Sequence, residues 1–396
     1  MDAAEWADEA RLMQSKSIHQ YGLACSGSSI SREQFLLLRT LWVKSAAATL
    51  YTRHRSRWID EASFKAARDF LSSDSMKLTW QRFLKSTEAR VETLEEQGYQ
   101  GLGTFSLVRY HQVQSQGVQS EVDIAKVNMS PIATRTRGQL KQRAALQQSS
   151  PSPAPKLLGL EEGIGKLEIR DSNPNQPPTT PPNQPLTTPD TDDPSPVDLS
   201  SPYQDPKVLK ALSDEQIVNT ALIEYLNALA IGCIELKANW TLHRLPLIAT
   251  DHKHKKTYEA RVDGYLRARA DNRPLALVEV KPFERRNKSV AIGMQESAQM
   301  AAWINQYPLE ITRQFGDTEQ KFSRLLVSQD RHEIYLNFAS FDASYVDYIR
   351  DVQGVSLDAP SFLVMNQYGP FNVGSKSDME MAGELILGYA LSVARG

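Results

Sequence analysis

The sequence predicts a helical N-terminal domain, a proline-rich linker and a C-terminal mixed α/β domain. Proline is the first indication, because none of the 21 prolines lies in residues 1–130 and 15 lie in residues 131–206. Hydrophobic periodicity is the second, since it is helical before the linker and alternates between helix and strand after it. The composition, 41% hydrophobic and 23% charged, is typical of a globular protein rather than a collagen-like or wholly disordered one.

Residues 1–130 are expected to form an all-α domain with three amphipathic helices. Ser31 to Gln34 has the form of a capping box, and an apolar stripe follows it at helical spacing. Asp60 can cap a second helix, and a third is predicted from Met76 to Glu96, before a glycine-rich turn. We interpret the aromatic residues of this region as the core of a small bundle rather than a ligand site.

Residues 131–206 combine Pro, Ser, Thr, Asn and Gln without a hydrophobic period. Such a segment buries too little apolar surface to offset the entropy lost on ordering, so a disordered linker is predicted.

Residues 207–396 are predicted to form an α/β domain with a mixed sheet flanked by helices. A second capping box, Ser213 to Gln216, is expected to begin its first helix. The order of helix, three strands, helix and strand indicates a mixed α/β fold, and the almost wholly apolar run 275–278 indicates a sheet covered on both faces. The predicted strands are 233–243, 258–268, 275–281, 324–329 and 333–338, and later helices are predicted over 290–306, 342–352 and 378–394.

The sequence does not predict several kinds of protein or site. The start of the chain carries acid and no apolar core of a secretory signal, and no apolar run approaches the roughly 20 residues that a membrane span needs. Cys25 and Cys233 lie far apart without metal-ligand spacing. A nucleotide-binding glycine loop is missing as well. An intracellular protein, nuclear or cytoplasmic and not secreted, is expected.

The charge of the chain is unevenly distributed. The net charge is −2, but residues 253–288 contain eleven basic and five acidic residues. A basic stretch in a mildly acidic protein suits a phosphate-backbone partner, so nucleic acid is predicted to bind. A solvated charged face is an equally open reading of the same charges.

One strand carries residues suited to catalysis. Glu279 and Lys281 alternate with Val278 and Val280, so the two charged side chains share one face. Asp263 lies sixteen residues upstream in the preceding predicted strand, and a glycine follows it, where a bulge or close backbone approach is expected. Burying two carboxylates and a lysine is costly unless they pair or bind a cation. Oxygen ligands of this kind suit Mg²⁺ or Mn²⁺, whereas a cross-strand salt bridge remains the alternative.

Four further blocks of sequence occur in one order: VNTAL at 218–222, YEARVDG at 258–264, EVKP at 279–282 and MQESAQMAAW at 294–303. Together they resemble the PD-(D/E)xK nuclease superfamily, which has the restriction-endonuclease-like fold. The resemblance is closer to a fungal group of PD-(D/E)xK nuclease-like domains. It covers about 207–396, with a weaker resemblance in the N-terminal half. A valine at 262 replaces the proline that names the motif.

The resemblance implies a role for each matching residue. Asp263 and Glu279 correspond to metal-binding carboxylates, with the Val280 carbonyl as a further ligand. Lys281 corresponds to the lysine that positions or activates the attacking water, and Gln295 to a glutamine that contacts the water or the nucleic-acid backbone. As an alternative, Gln295 and Gln299 form a polar helix face.

Completion of the metal site is expected from an acid on the first helix of the C-terminal domain. The resemblance assigns this position to Glu215, with Glu224 as the less favoured candidate. Glu215 would also lie in the first turn of the predicted helix, where an acid simply favours the helix dipole, and both readings stay open.

The predicted function is metal-dependent hydrolysis of phosphodiester bonds, with DNA expected ahead of RNA as the substrate. Mg²⁺ or Mn²⁺ is the expected cofactor, and Arg285, Arg286 and Lys288 are expected to grip the nucleic-acid backbone. The alternative is a catalytically silent nuclease-fold module that binds nucleic acid or a protein, because a fold does not establish an activity.

Overall fold

The computed structural model describes residues 2–11, 13, 17–21, 25–118, 206–308, 321–352 and 361–395. All of these described residues belong to one compact unit. Except for Pro206, which begins a helix, the predicted linker 131–206 lies outside the described residues.

Seven strands form a mixed sheet, which confirms the predicted α/β class. The strands are β2 (Thr40–Ser45), β3 (Ala238–Thr241), β6 (Gly264–Ala268), β7 (Pro274–Lys281), β8 (Lys321–Asp330), β9 (Glu333–Asp342) and β10 (Leu363–Asn372). Their order in the sheet is β2-β10-β9-β8-β7-β6-β3. The pairs β2–β10 and β7–β8 are parallel and the other four are antiparallel.

A smaller sheet has the strand order β1-β5-β4. It consists of β1 (Cys25–Ser26), β4 (Leu245–Thr250) and β5 (Lys256–Val262). Strand β5 pairs in parallel with β1 and antiparallel with β4. Because β5 ends at Val262 and β6 begins at Gly264, the chain passes from the small sheet to the large one at Asp263.

Helices enclose two hydrophobic cores. The helices are α1 (Ala3–Ala10), α2 (Arg32–Leu37), α3 (Ala47–Thr49), α4 (Arg55–Trp58), α5 (Glu61–Leu71), α6 (Lys77–Ser86), α7 (Val91–Glu96), α8 (Phe105–Gly117), α9 (Pro206–Ala230), α10 (Arg285–Gln306), α11 (Ala343–Ile349) and α12 (Lys376–Ala394). One core joins β7, β8 and β9 to α5, α6, α8, α9 and α12, and the other joins the small sheet to α10 and α11. None of the helices in these described segments is long and apolar enough to cross a membrane.

The N-terminal residues do not form a separate all-α domain, so that expectation is wrong. Strand β2 is an edge strand of the large sheet, paired with β10. The hydroxyls of Tyr345 and Tyr348 donate to the carbonyls of Leu38 and Leu37, at 2.8 and 2.6 Å. Many of the N-terminal aromatic residues are buried, but one of them, Trp58, stacks on Phe338 of β9. The core is therefore shared by both halves of the sequence, and the N-terminal half is not a tethered module.

In the N-terminal half, the capping residues in the sequence predict the first residue of a helix more accurately than the last. The capping box is confirmed, since Ser31 Oγ accepts from the Gln34 amide and Gln34 Oε1 accepts from the Ser31 amide. The cap at Asp60 is confirmed as well. Helix α2 nevertheless ends at Leu37, because the following residues pair with β10. The helix predicted over 76–96 is divided into α6 and α7.

Several elements of the C-terminal half differ from the prediction: strand β4 was not predicted, and the strand predicted over 258–268 is divided into β5 and β6 at Asp263. Helix α9 begins at Pro206, so the capping box proposed at Ser213 lies inside a continuous helix. Helix α10 begins at Arg285, five residues before the predicted start. Strand β10 was not predicted; it contains Gly369 and Pro370, which interrupt the strand pattern and coincide with a register shift against β9.

Candidate metal and catalytic site

Asp263 lies at the bend between β5 and β6 and is 6% exposed. Its amide donates to the Val278 carbonyl at 3.0 Å, and its Oδ2 accepts from the Val280 amide at 3.1 Å. Its carbonyl accepts from Asn219 Nδ2 of α9 at 3.4 Å. These bonds join Asp263 to the strand that carries Glu279 and Lys281.

Gly264 allows this bend to form. A Cβ atom at Gly264 would lie 2.5 Å from the Thr241 carbonyl oxygen of β3 and 2.9 Å from Ile223 Cδ1 of α9. Both distances are shorter than real Cβ contacts, so a larger residue requires the backbone to shift. The close backbone approach predicted at this glycine is confirmed.

Glu279 and Lys281 lie on the face of β7 that contacts α10. Lys281 Nζ donates to Glu279 Oε1 at 2.5 Å. Gln295 Nε2 donates to the same oxygen at 2.6 Å, and Gln299 Nε2 donates to Glu279 Oε2, also at 2.6 Å. The alternation predicted for this strand is confirmed. Gln299 is fully buried and Gln295 binds a buried carboxylate, so the two glutamines are not a solvated helix face.

Burial and crowding of like charges govern the acid–base properties of this strand end. Burial, reinforced by the charge of Asp263, raises the pKa of Glu279 to about 8, although Lys281 acts in the opposite direction. For Lys281, burial lowers the pKa, but the charges of Glu279, Glu215 and Asp263 outweigh it, so the pKa of the ammonium is raised. One ammonium group thus stabilises three neighbouring carboxylates.

Arg244 joins two of these carboxylates. Its Nη2 lies 3.3 Å from Glu215 Oε1 and 3.2 Å from Asp263 Oδ1. Arg244 belongs to the connection between β3 and β4, and its side chain is 48% exposed. Sequence reasoning missed this residue because no motif surrounds it. A pairing of β3 with β6 would have been needed to bring the connection beside Asp263.

The two candidate acids on α9 have different surroundings. Glu215 is bound to Arg244 beside Asp263, whereas Glu224 Oε2 lies 2.7 Å from His111 Nδ1 of α8. Burial raises the pKa of Glu215, reinforced by Asp263 and opposed by Lys281 and Arg244. Since α9 begins nine residues earlier, Glu215 is not in its first turn, and a helix-dipole role does not account for it.

The donor set suits a hard divalent cation in its chemistry but not in its arrangement. Glu215 and Asp263 present carboxylate oxygens to one cationic atom, and carboxylate oxygens are the ligands that Mg²⁺ prefers. The third carboxylate, Glu279, is held by Lys281 and two glutamines. Within the part of the chain that the structure describes, no three His, Cys, Asp or Glu side chains are grouped so as to hold a metal ion. Binding a metal therefore requires side chains here to rearrange.

Arg285 does not lie on a nucleic-acid-binding surface, so this prediction is wrong. Its side chain is 6% exposed and forms what we call the Arg285 cluster. Nε donates to Asp330 at 2.5 Å, and Nη1 and Nη2 donate to the two oxygens of Glu296 at 2.9 and 2.5 Å. Nη2 also donates to Ser328 Oγ at 3.0 Å. The first turn of α10 directs this guanidinium into the protein, toward the end of β8.

The other two residues predicted to contact the nucleic-acid backbone, Arg286 and Lys288, differ in exposure. The Arg286 side chain is 80% exposed and pairs with Glu284 at 2.5 Å. Lys288 itself has non-helical backbone angles within α10, and its Nζ lies 4.5 Å from the centre of the Phe283 ring. Arg286 can reach a solvent partner, whereas the Nζ atom of Lys288 is buried and does not face one.

Much of the basic stretch at 253–288 is neutralised within the fold. Six of its eleven basic side chains pair with acids, which weakens the case for one continuous basic surface. The pairs are Lys256–Glu259, Arg261–Glu259, Arg273–Asp271, Lys281–Glu279, Arg285–Glu296 and Arg286–Glu284.

Comparison of the chain with protein-family models, with curated proteins and with solved structures finds no match. The geometry of the site is therefore the basis of the function proposed below.

Proposed function

We propose that this protein is a metal-dependent nuclease of the restriction-endonuclease-like fold that hydrolyses phosphodiester bonds, with DNA ahead of RNA as the substrate. One observation carries the proposal: Glu215 and Asp263 converge on a single cationic atom beside the Glu279–Lys281 pair. Buried acids that converge on a cation at the end of a strand are costly to maintain without a function.

Asp263, Glu279 and Glu215 would hold Mg²⁺ or Mn²⁺. When bound, such a cation polarises a phosphoryl oxygen and lowers the pKa of a bound water. Lys281 contributes a fixed positive charge, since its pKa is raised and its side chain is 15% exposed. This ammonium can orient a water and offset negative charge on the phosphate. Gln295 and Gln299 hold the Glu279 carboxylate in position.

A second function is favoured by the enclosure of Glu279. Three N–H donors occupy its two oxygens, and the residue is 2% exposed. A carboxylate held in this way can have a purely structural role as the partner of Lys281 in an ion pair. The second candidate is therefore a catalytically silent module of the same fold that binds nucleic acid or a protein.

Cleavage assays separate the two functions. Single- and double-stranded DNA and RNA are incubated with Mg²⁺ or Mn²⁺ and the wild-type protein, Asp263→Ala or Lys281→Ala. We expect each substitution to lower the cleavage rate at least about 100-fold. Asp271→Ala and Lys256→Ala are matched controls, because they remove an acid and a lysine outside the site.

The outcomes lead to different conclusions. Cleavage that survives both substitutions would rule out this site as the catalytic centre. Binding of nucleic acid without cleavage under any metal condition would favour the silent module. Fluorescence anisotropy with the same oligonucleotides measures that binding.

A further inference from the structure

Arg244 has the position and charge of a displaceable counter-ion. A single nitrogen, Nη2, lies between Glu215 Oε1 and Asp263 Oδ1, at 3.3 and 3.2 Å. A cation ligated by both carboxylates would have to lie between the same two oxygens. Arg244 and a metal ion therefore compete for one position.

Arg244 is held loosely compared with the acids that it joins. Its side chain is 48% exposed, whereas those of Glu215 and Asp263 are 17% and 9% exposed. Charge-assisted hydrogen bonds are usually about 2.7 to 2.9 Å long, so both contacts are long. The residue also lies in an irregular connection between β3 and β4. The two carboxylates are the more buried partners, and the guanidinium is the partner that can leave.

The negative charge of the site increases when Arg244 leaves. Glu215 and Asp263 together carry two negative charges when ionised, and Arg244 carries one positive charge. One negative charge remains with Arg244 in place, and two remain when it leaves. Two negative charges are what a divalent cation neutralises. Departure of Arg244 and entry of the cation are thus electrostatically coupled.

We propose that Arg244 occupies the cation position in the metal-free protein and turns to a phosphate of the nucleic acid when the cation enters. A guanidinium has several N–H donors in a planar fork that matches phosphate oxygens. Arg244 is a positioning residue in this scheme, because it controls access to the carboxylates and contacts the nucleic-acid backbone. The inference rests on the proposed function.

Binding of Mn²⁺ alone tests the competition. The full chain, without nucleic acid, is titrated with Mn²⁺ and free Mn²⁺ is measured by electron paramagnetic resonance. We expect Arg244→Gln to bind Mn²⁺ about fivefold to tenfold more tightly than the wild type, and Arg244→Lys to lie between them. Arg269→Gln is the charge-matched control, since Arg269 binds Asn239 rather than an acid.

Binding of a double-stranded DNA oligonucleotide tests the phosphate contact. Ca²⁺ replaces Mn²⁺ in this measurement, because it is also a hard cation with oxygen ligands. We expect Arg244→Gln to lower the affinity for DNA about tenfold, and Arg244→Lys to retain part of it. Unchanged DNA affinity in Arg244→Gln would overturn the phosphate contact.

The Mn²⁺ titration distinguishes failure of this inference from failure of the proposed function. Equal or weaker Mn²⁺ binding by Arg244→Gln, with a wild type that binds, would overturn the competition and leave the metal site intact. The same tightening in Arg269→Gln would reduce the effect to net charge and also overturn it. Absence of Mn²⁺ binding in every variant would overturn both proposals. If Asp263 is a metal ligand, the double variant Arg244→Gln/Asp263→Asn is expected to lose the tighter Mn²⁺ binding of Arg244→Gln.

Discussion

Two charged clusters lie near the end of strand β7, and they differ in how the arginine is held. In the Arg285 cluster the guanidinium is 6% exposed and makes four hydrogen bonds of 2.5 to 3.0 Å. Arg244 is 48% exposed and contacts two carboxylates at 3.2 and 3.3 Å. The residue types are the same, but only Arg244 can exchange its partners without opening the core.

The comparison separates a structural use of buried charge from a functional one. Arg285 connects the start of α10 to Asp330 at the end of β8, and burial raises the pKa of Asp330 to about 6 although Arg285 opposes the shift. Removing one partner of such a group leaves uncompensated charge in the interior. A group with an exposed arginine and long contacts contributes little to stability and is free to bind a ligand.

The largest expected effect is the loss of stability in Arg285→Met. We expect the free energy of unfolding to fall by about 3 to 5 kcal/mol, because Glu296 and Asp330 lose their common cation. Arg244→Met is expected to change it by less than about 1 kcal/mol. Unfolding in urea, followed by circular dichroism, measures both.

Arg286→Met provides the control for the first substitution. Arg286 is the next residue along the chain, but its side chain is 80% exposed, so its replacement is expected to be nearly neutral. Equal losses in Arg285→Met and Arg244→Met would remove the distinction between the two clusters.

A smaller effect is expected in the pH dependence of stability. Burial, with the charge of Asp263, raises the pKa of Glu279 from 4.5 to about 8. The folded protein then retains a proton that the unfolded chain has lost, so this contribution to stability is complete below pH 4.5 and disappears as the pH approaches 8. We expect the metal-free protein to lose about 3 to 4 kcal/mol of unfolding free energy between about pH 5 and pH 8.

Glu279→Gln tests the source of that loss, because a glutamine cannot ionise. Its unfolding free energy is expected to vary much less over the same pH range, with urea denaturation at a series of pH values as the measurement. Identical pH profiles for Glu279→Gln and the wild type would show that the three hydrogen bonds from Lys281, Gln295 and Gln299 keep Glu279 ionised.

The neighbourhood of the site was predictable where local rules determine it. Strand alternation is sufficient to bring Glu279 and Lys281 onto one face, and the glycine after Asp263 indicates a close approach of two backbones. Arg285 and Arg286 could not be told apart, because adjacent arginines differ only through the residue at which α10 begins. Burial then depends on that single boundary.

Pairing between strands that are distant in sequence produced the features that the sequence did not predict. Residues 40–45 continue an apolar stripe at helical spacing, yet they form β2 because β10 offers an edge. That edge was hidden, since Gly369 and Pro370 interrupt the pattern of β10. Arg244 reaches Asp263 through the pairing of β3 with β6. These contacts join segments that are distant in sequence, so no local pattern records them.

The smallest expected effect concerns the bend that supports the Arg244 site. Gly264→Ala would place a Cβ 2.5 Å from the Thr241 carbonyl and displace β3, which leads directly to Arg244. We expect a loss of about 1 to 2 kcal/mol in unfolding free energy and weaker Mn²⁺ binding. Gly293→Ala is the control, since its Cβ would lie 3.6 Å from Trp42 in ordinary contact, and alanine favours a helix. Unchanged Mn²⁺ affinity in Gly264→Ala would show that the carboxylate geometry does not depend on this close approach, so the Arg244 site would be as tolerant of strain as an ordinary surface ion pair.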